Sequence, residues 1–564
     1  MAIMSLRLCA IHVQERLADA FRTEGCEVLR LCPTPGQDLD LPAELDRQGF
    51  SPDLVLQQEL LGPRVLLNGL ERLDAVRAFW AIDPHLNAFW QAAYARRFDV
   101  LFTTQRCWSA ELESCGAGPA HHLPWYAPQK PFTPFAERVH DAAFIGRLGP
   151  SRQARAWLVA LMRRVLPRGF ELRDDLSFEA MLDFTCATRL IPNESITSEV
   201  NFRLFEAAGC GAVVLAQDLG PEQAELFEPG REIMVCADSL ELVDNVRLLT
   251  SRPRLAEAMG RAAWERARRD HQPANRARAI LAAMIGVARG GSDASRWLAL
   301  ARAALMEAGR LPQSGPQSEP QAVARELAAL PVQDGAVLAA RLRLAAVSGD
   351  APTTDALLQR VLAAAMPATE ALLAGSMAAL RRAIDGDAQA WGPALALSRR
   401  AGVDLPPDPV EPVQILLAWS RRLASAAQAA RLGSRGGFPF DPARHLPASA
   451  QECLFLAKAI DPANATVLRA LAETLGQGGS RQLRLGVLSE LGLRAPGDWR
   501  TGLALGLCDL QLFRPEEGLG ELALAARLAV QRGEAEAFAT ELAAADSDGR
   551  LGRVLAALQG GGQG

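Results

Sequence analysis

Residues 189–235 read RLIPNESITSEVNFRLFEAAGCGAVVLAQDLGPEQAELFEPGREIMV and gather side chains suited to an anionic, hydroxyl-bearing ligand. A loop rich in Pro, Asn, Ser and Thr leads into a short helix, with Ser198 at the expected N-cap and Glu199 in the first turn. Gly209 and Gly211 end that helix, a strand over 212–216 follows, and Pro221 opens a second helix. The free N–H groups of such a helix start can hold a diphosphate. Glu206 could accept hydrogen bonds from two ribose hydroxyls. Arg203, one turn earlier, and Arg147, just after the predicted strand "DAAFIG", offer the planar fork that matches phosphate oxygens. The layout suits a nucleotide-sugar. The same residues allow a second reading, because Glu199, Arg203 and Glu206 also have the spacing of a surface ion-pair ladder.

Two kinds of chain surround this segment. Up to about residue 290, short β-type runs alternate with helical patterns, the signature of parallel sheets flanked by helices. Strands are expected at 6–11, 27–31, 53–57, 64–67, 79–82 and 99–103, then at 142–145, 187–191, 212–216 and 232–236. A proline-rich stretch at Pro128, Pro131 and Pro134 separates the two series. Beyond about residue 290 the aromatic residues thin out, and 286–293 (GVARGGSD) has linker composition. The remainder is rich in Ala, Leu and Arg, with apolar residues at helical spacing. Asp461-Pro-Ala-Asn464 and Ala495-Pro-Gly-Asp498 each begin a helix pair, and Pro462 and Pro496 lie 34 residues apart, the period of a tetratricopeptide-type repeat. The expected fold class is therefore α/β then all-α. The boundaries are 1–135 and 136–285 for two Rossmann-like domains, 286–322 for a linker and first helix, and 323–564 for a helical-repeat (TPR-like) domain.

Composition removes several alternatives. The net charge of −5 over 564 residues argues against a nucleic-acid partner. Lys130 and Lys458 are the only lysines, and neither sits in a phosphate-loop motif, which excludes a P-loop NTPase. The ten cysteines form no C-x-x-C pair, so neither a zinc knuckle nor a disulfide framework fits. The Asp38/Asp40 and Asp385/Asp387 pairs read as solvated turns, and no metal site is expected. No apolar run is long enough to span a membrane and no signal peptide is recognisable, which points to a cytoplasmic protein. On the N-terminal side, Asp83 and His85 follow a predicted strand, where either could act as general base on an acceptor hydroxyl. His12 follows the first strand in the same way, and His121 and His122 read as structural.

The motif N-x-R-x-F-E-x-x-x-C-G (Asn201, Arg203, Phe205, Glu206, Cys210, Gly211), followed by "LFEPGREIMV", resembles the donor-binding half of the CgeB-like, spore-maturation type of bacterial glycosyltransferase, which is similar to the wider GT-B group. "DAAFIGR" resembles the strand opening that half, and "WAIDPHLNAFW", "FDVLFTTQ" and "HHLPWYAP" resemble the acceptor-side half. The resemblance implies a GT-B arrangement of residues 1–285 and a hexosyltransferase-like, metal-independent transfer from a UDP- or GDP-linked sugar to a protein or polysaccharide. It implies no cofactor beyond that substrate. Glu206 matches the ribose-binding glutamate, and Arg203 and Arg147 match basic positions near the diphosphate, with Asn201 in the same motif. Many retaining relatives carry a second glutamate eight positions before the first; here that position is Ser198, with Glu199 beside it. The repeats would bind a protein partner. A non-catalytic scaffold and a nucleotide-sugar epimerase are the competing readings.

Overall fold

The computed structural model describes residues 6–60, 62, 64–114, 119–150, 152–289, 294–311, 319–426, 437–546 and 548–560. Cys115, most of the GVARGGSD linker's end and residues 312–318 of the expected polar loop lie outside them. The chain forms two compact units, each assembled from two separate stretches: 1–124 with 273–462, and 125–272 with 463–564. These are not the expected boundaries. The helix Pro273–Met284 belongs with the first sheet, and the helical half is divided between the two units.

The first unit is built on six parallel strands: β1 (Arg7–Ile11), β2 (Glu27–Leu31), β3 (Leu54–Gln58), β4 (Val76–Ala81), β5 (Val100–Thr103) and β6 (Ala120–His122). Their order is β2-β1-β3-β4-β5-β6. β3 and β4 are buried along their whole length, as strands covered by helices on both faces must be. The strand expected over 64–67 is only Leu67–Asn68, paired with Leu39–Asp40 in a separate two-stranded sheet. Helix α1 (Pro84–Ala95) lays Trp90 and Tyr94 on Phe79 of β4, with ring centroids 6.3 and 5.4 Å away. The first helix after the linker, Ala294–Glu307, adds Leu298, Ala301 and Leu305 to that same core. Its buried Arg302 pairs with Asp38 and, at 2.8 Å, with Glu326. Asp38 is thus an ion-pair partner and not a solvated turn residue. Asp40 caps the helix Leu41–Gln48, and Asp387 pairs with Arg382.

The second unit carries five parallel strands: β7 (His140–Ile145), β8 (Phe170–Arg173), β9 (Thr188–Asn193), β10 (Val213–Gln217) and β11 (Met234–Cys236), in the order β8-β7-β9-β10-β11. Helices α2 (Gln153–Val165) and α3 (Phe202–Gly209) flank them. The tail supplies α4 (Ala465–Gln477), α5 (Arg481–Arg494), α6 (Trp499–Gln511) and α7 (Pro515–Gln531). Asn464 and Asp498 cap α4 and α6 through their side chains, so two helix pairs do start 34 residues apart, where the sequence puts them. The tail nevertheless does not stand alone. Phe513, in the turn between α6 and α7, is buried in one apolar cluster with Leu158, Leu215 and Leu242 of the sheet and its helices. It holds a left-handed φ of 66° to do so. Gln217 at the end of β10 donates to the carbonyl of Gln511 at 3.1 Å, and Arg550 pairs with Asp238.

Removing the Phe513 ring should therefore act on the sheet as well as on the tail. Phe513→Ala should destabilise the second unit by about 3 kcal/mol. In hydrogen exchange under mild denaturant, β9 and α6 should lose protection together, whereas an independent tail would lose it alone.

Candidate functional site

The residues expected to carry the chemistry of the second unit gather where β7 and β9 end. The sheet order reverses direction between these two strands, and in open α/β sheets the crevice for ligands lies at such a reversal. The loop leaving β9 is fastened from inside. The buried carboxylate of Glu199 accepts from the Ser195 hydroxyl at 2.8 Å, from the Thr197 N–H at 2.7 Å and from the Ile196 N–H at 3.1 Å. Ser198, between them, takes a left-handed φ of 60°. The helix consequently begins three residues later than expected, with Asn201 at the N-cap and not Ser198. Glu199 is a loop latch outside the helix. The ion-pair ladder through Glu199, Arg203 and Glu206 does not form.

Arg203 instead points into the sheet edge. Its guanidinium donates to the Ile145 carbonyl at the end of β7 (3.2 Å) and to the Asn193 side-chain oxygen at the end of β9 (2.9 Å). It lies 4.6 Å from the centre of the Phe144 ring. Gly146 makes room for it, since a Cβ there would stand 3.2 Å from the guanidinium. Burial, then the neighbouring Arg155, brings the Arg203 pKa down to about 10, so it remains a cation at neutral pH. Arg155 itself is tied to buried Glu194 at 2.7 Å. The Asn201 amide donates to the Glu194 carbonyl at 2.9 Å, and its side-chain oxygen is buried with no partner among the described residues. Glu206, one turn beyond Arg203, makes no side-chain hydrogen bond among the described residues, and burial pushes its pKa up to about 7 against the pull of Arg203. Arg147 is exposed in the loop after β7, directly following Gly146. The structure thus brings Asn201, Arg203 and Glu206 together on α3, beside the loop that bears Arg147.

The first unit has its own polar cluster at the strand ends. Asp83 is the N-cap of α1, and its N–H donates to Glu59 at 3.2 Å. Glu59 ends β3 and also accepts from the Ile82 N–H at 2.8 Å and from Gln91 at 2.5 Å. Its second oxygen is buried without a partner among the described residues, and burial holds its pKa above the usual carboxylate range. His85 is buried in the first turn of α1, with Nδ1 likewise unpartnered among them. Phe438 packs on α1 from outside, 5.5 Å from Phe89. In this sheet the order reverses between β1 and β3, so the groups at the reversal are His12 and Glu59; Asp83 and His85 belong to the next strand out. His12 has a left-handed φ of 55° and a buried Nε2 with no partner among the described residues, and burial followed by Arg30 lowers its pKa. Glu59 escaped the sequence reading. Its signal was present in "LVLQQE", a carboxylate closing an otherwise buried strand.

Residues 145–282 match the family model described as glycosyl transferase-like. The chain carries a glycosyltransferase domain. That glycosyltransferase segment includes Arg147, Asn201, Arg203 and Glu206, and leaves Asp83 and His85 outside it. No curated protein matches the chain. Among solved structures, it is similar to sucrose-phosphate synthase from Thermosynechococcus elongatus at 13% identity and a TM-score of 0.38, covering 49% of this chain and 97% of that one. A glycosyltransferase from Rickettsia africae shows 10% identity and a TM-score of 0.37, covering 50% and 97%. S. aureus TarM shows 11% identity and a TM-score of 0.33, and 43% of this chain spans 57% of TarM.

The raised pKa of Glu206 has a stability consequence in this glycosyltransferase domain. Its folded-state pKa of about 7 lies above the ordinary glutamate value of 4.5, so the folded protein pays for the charge as pH rises from 4.5 through 7. Glu206→Gln should be nearly neutral at pH 5 and stabilise by on the order of 2 kcal/mol at pH 8, after discounting for partial exposure. Urea unfolding at the two pH values checks this.

Proposed function

We propose that the protein is a GT-B glycosyltransferase, related to the CgeB-like type, that moves a sugar from a UDP- or GDP-linked donor to a hydroxyl of a protein or polysaccharide. The observation that carries this reading is the position of Arg203. Within the matched segment, it spans the ends of β7 and β9 with Glu206 one turn further along α3. In this reading Arg203, Arg147 and the first N–H groups of α3 take the charge of the diphosphate as it leaves. Asn201 holds the loop against the helix start, and Glu206 accepts from the ribose hydroxyls. The transfer is metal-independent.

On the acceptor side Asp83 or His85 serves as general base. The acceptor oxygen bonds to the anomeric carbon, the bond from that carbon to the diphosphate breaks, and the acceptor proton passes to the base. Glu59 positions the Ile82–Asp83 turn by its hydrogen bonds and is not itself the base in this scheme. The protein works in the cytoplasm, and the two 34-residue helix pairs of the tail are of the tetratricopeptide-like kind, open to a protein partner on their outer face.

Calorimetric titration with UDP, GDP, TDP and ADP, repeated on Glu206→Ala, tests the reading. Micromolar binding of one nucleotide, lost in the variant, is expected; no binding by a folded protein would leave a non-catalytic scaffold in its place. A second measurement isolates Glu206. An acceptor for ribose hydroxyls works as a carboxylate, so affinity for the nucleoside alone, which carries no phosphate, should rise between pH 6 and pH 8 with a midpoint near 7. Glu206→Gln should flatten that rise.

A further inference from the structure

The tail reaches the loop that shapes the candidate site. Gly479, in the turn between α4 and α5, has a left-handed φ of 74°; a Cβ on it would meet the Thr197 carbonyl at 2.8 Å and the Ser198 hydroxyl at 3.0 Å. Gln217 links the same two parts a second time. Its side-chain oxygen accepts from the Ser195 N–H at 2.9 Å, while its amide donates to Gln511 in the tail. Two residues after Gly479 stands Arg481, the first residue of α5.

Arg481 is partly buried, and its guanidinium makes no hydrogen bond and no ion pair among the described residues. The carboxylates that act on it are Glu199 and Asp218, with Arg484 as the opposing cation; burial is the largest influence and draws its pKa below the ordinary arginine range. Neither carboxylate is placed to be its mate. Glu199 is occupied by the donors of residues 195–197, and Asp218 accepts from the Gly220 N–H at 2.9 Å. Other buried arginines have fixed acceptors: Arg77 pairs with Asp99, Arg155 with Glu194 and Arg302 with Asp38, while Arg97 and Arg138 donate to backbone carbonyls. The Arg481 guanidinium stays reachable from solvent and has no fixed partner among the described residues, which leaves its N–H groups open to an anion.

We propose that Arg481 is a donor-binding residue, contributed by the helical tail from outside the matched glycosyltransferase segment, and that it takes phosphoryl oxygens of the nucleoside diphosphate at the loop 195–199. The inference rests on the donor-site reading given above and deepens it. A fork of five N–H donors on the rigid first turn of α5 suits that ligand. It also gives the tail a reason to be fused: the site is incomplete without it.

The test uses the full chain titrated with UDP and GDP by calorimetry, and with uridine and guanosine by NMR, for the wild type, Arg481→Gln and Arg481→Lys. Arg469→Gln, which removes a tail arginine paired with Asp498, is the charge control. Thermal midpoints report folding. Arg481→Gln should weaken the diphosphate that the wild type binds by tenfold or more and leave the matching nucleoside within twofold. Arg481→Lys should recover part of the loss, and Arg469→Gln should change nothing. Diphosphate affinity within twofold of wild type in Arg481→Gln overturns the proposal, and so does an equal loss for diphosphate and nucleoside, which would mark a structural role. If Arg481→Gln does not fold, Arg481→Lys decides: a threefold or greater loss confined to the diphosphate supports the proposal, and no loss overturns it. A wild type that binds none of the four ligands overturns the donor site itself, a result distinct from wild-type binding that the Arg481 variants leave intact.

Discussion

Arginine tying backbone carbonyls at the ends of strands and helices is the interaction on which this structure leans most. Arg97 donates to the Leu67 carbonyl at 2.7 Å. Arg138 reaches Thr188 at 2.6 Å and Cys210 at 3.0 Å. Arg203 closes the gap between β7 and β9 through Ile145. Each of these guanidiniums satisfies acceptors that a loop would otherwise bury without a donor, and each spans two pieces of chain that a single ammonium could not bridge in a fixed geometry. A chain with two lysines among its 60 basic residues has little else to do this with. In Arg203 the structural tie and the candidate phosphate ligand are one side chain, which leaves the position little freedom to vary.

Much of the α/β half could be read from the residues. Parallel strands buried on both faces give continuous apolar runs, so β1, β3 and β5 fall within a residue or two of where their sequences put them. Arg203 and Glu206 were legible because helix spacing fixes them on α3 whatever precedes it. The start of α3 was not. Ser198 and Glu199 have the types favoured at a cap and a first turn, but the Glu199 carboxylate satisfies three donors by folding back on the loop, and that tertiary arrangement outweighs local preference. Glu59 was overlooked because a carboxylate after a strand usually faces water. Its burial depends on Gln91 and the Ile82–Asp83 turn, which come from other elements.

The domain boundaries were the least legible part. An amphipathic helix shows which face it buries and nothing about what lies beneath it. Leu298 and Leu305 sit in the first sheet's core, and Phe513, in a turn that reads as a simple link before Pro515, sits in the second's. No periodicity distinguishes those destinations from a free-standing stack of helices.

That Phe513 fills the second core has a bearing on how the chain can be made. Leu158, Leu215 and Leu242 leave the ribosome long before the ring that completes their packing. The first unit is likewise interrupted: residues 125–272 are inserted between its sheet and the helices that finish it. Each unit therefore waits for a distant stretch of chain, and apolar surface stays open through most of synthesis. Chaperone demand during translation, and loss of the whole second unit rather than of an appendage when synthesis stops early, are built into this connectivity.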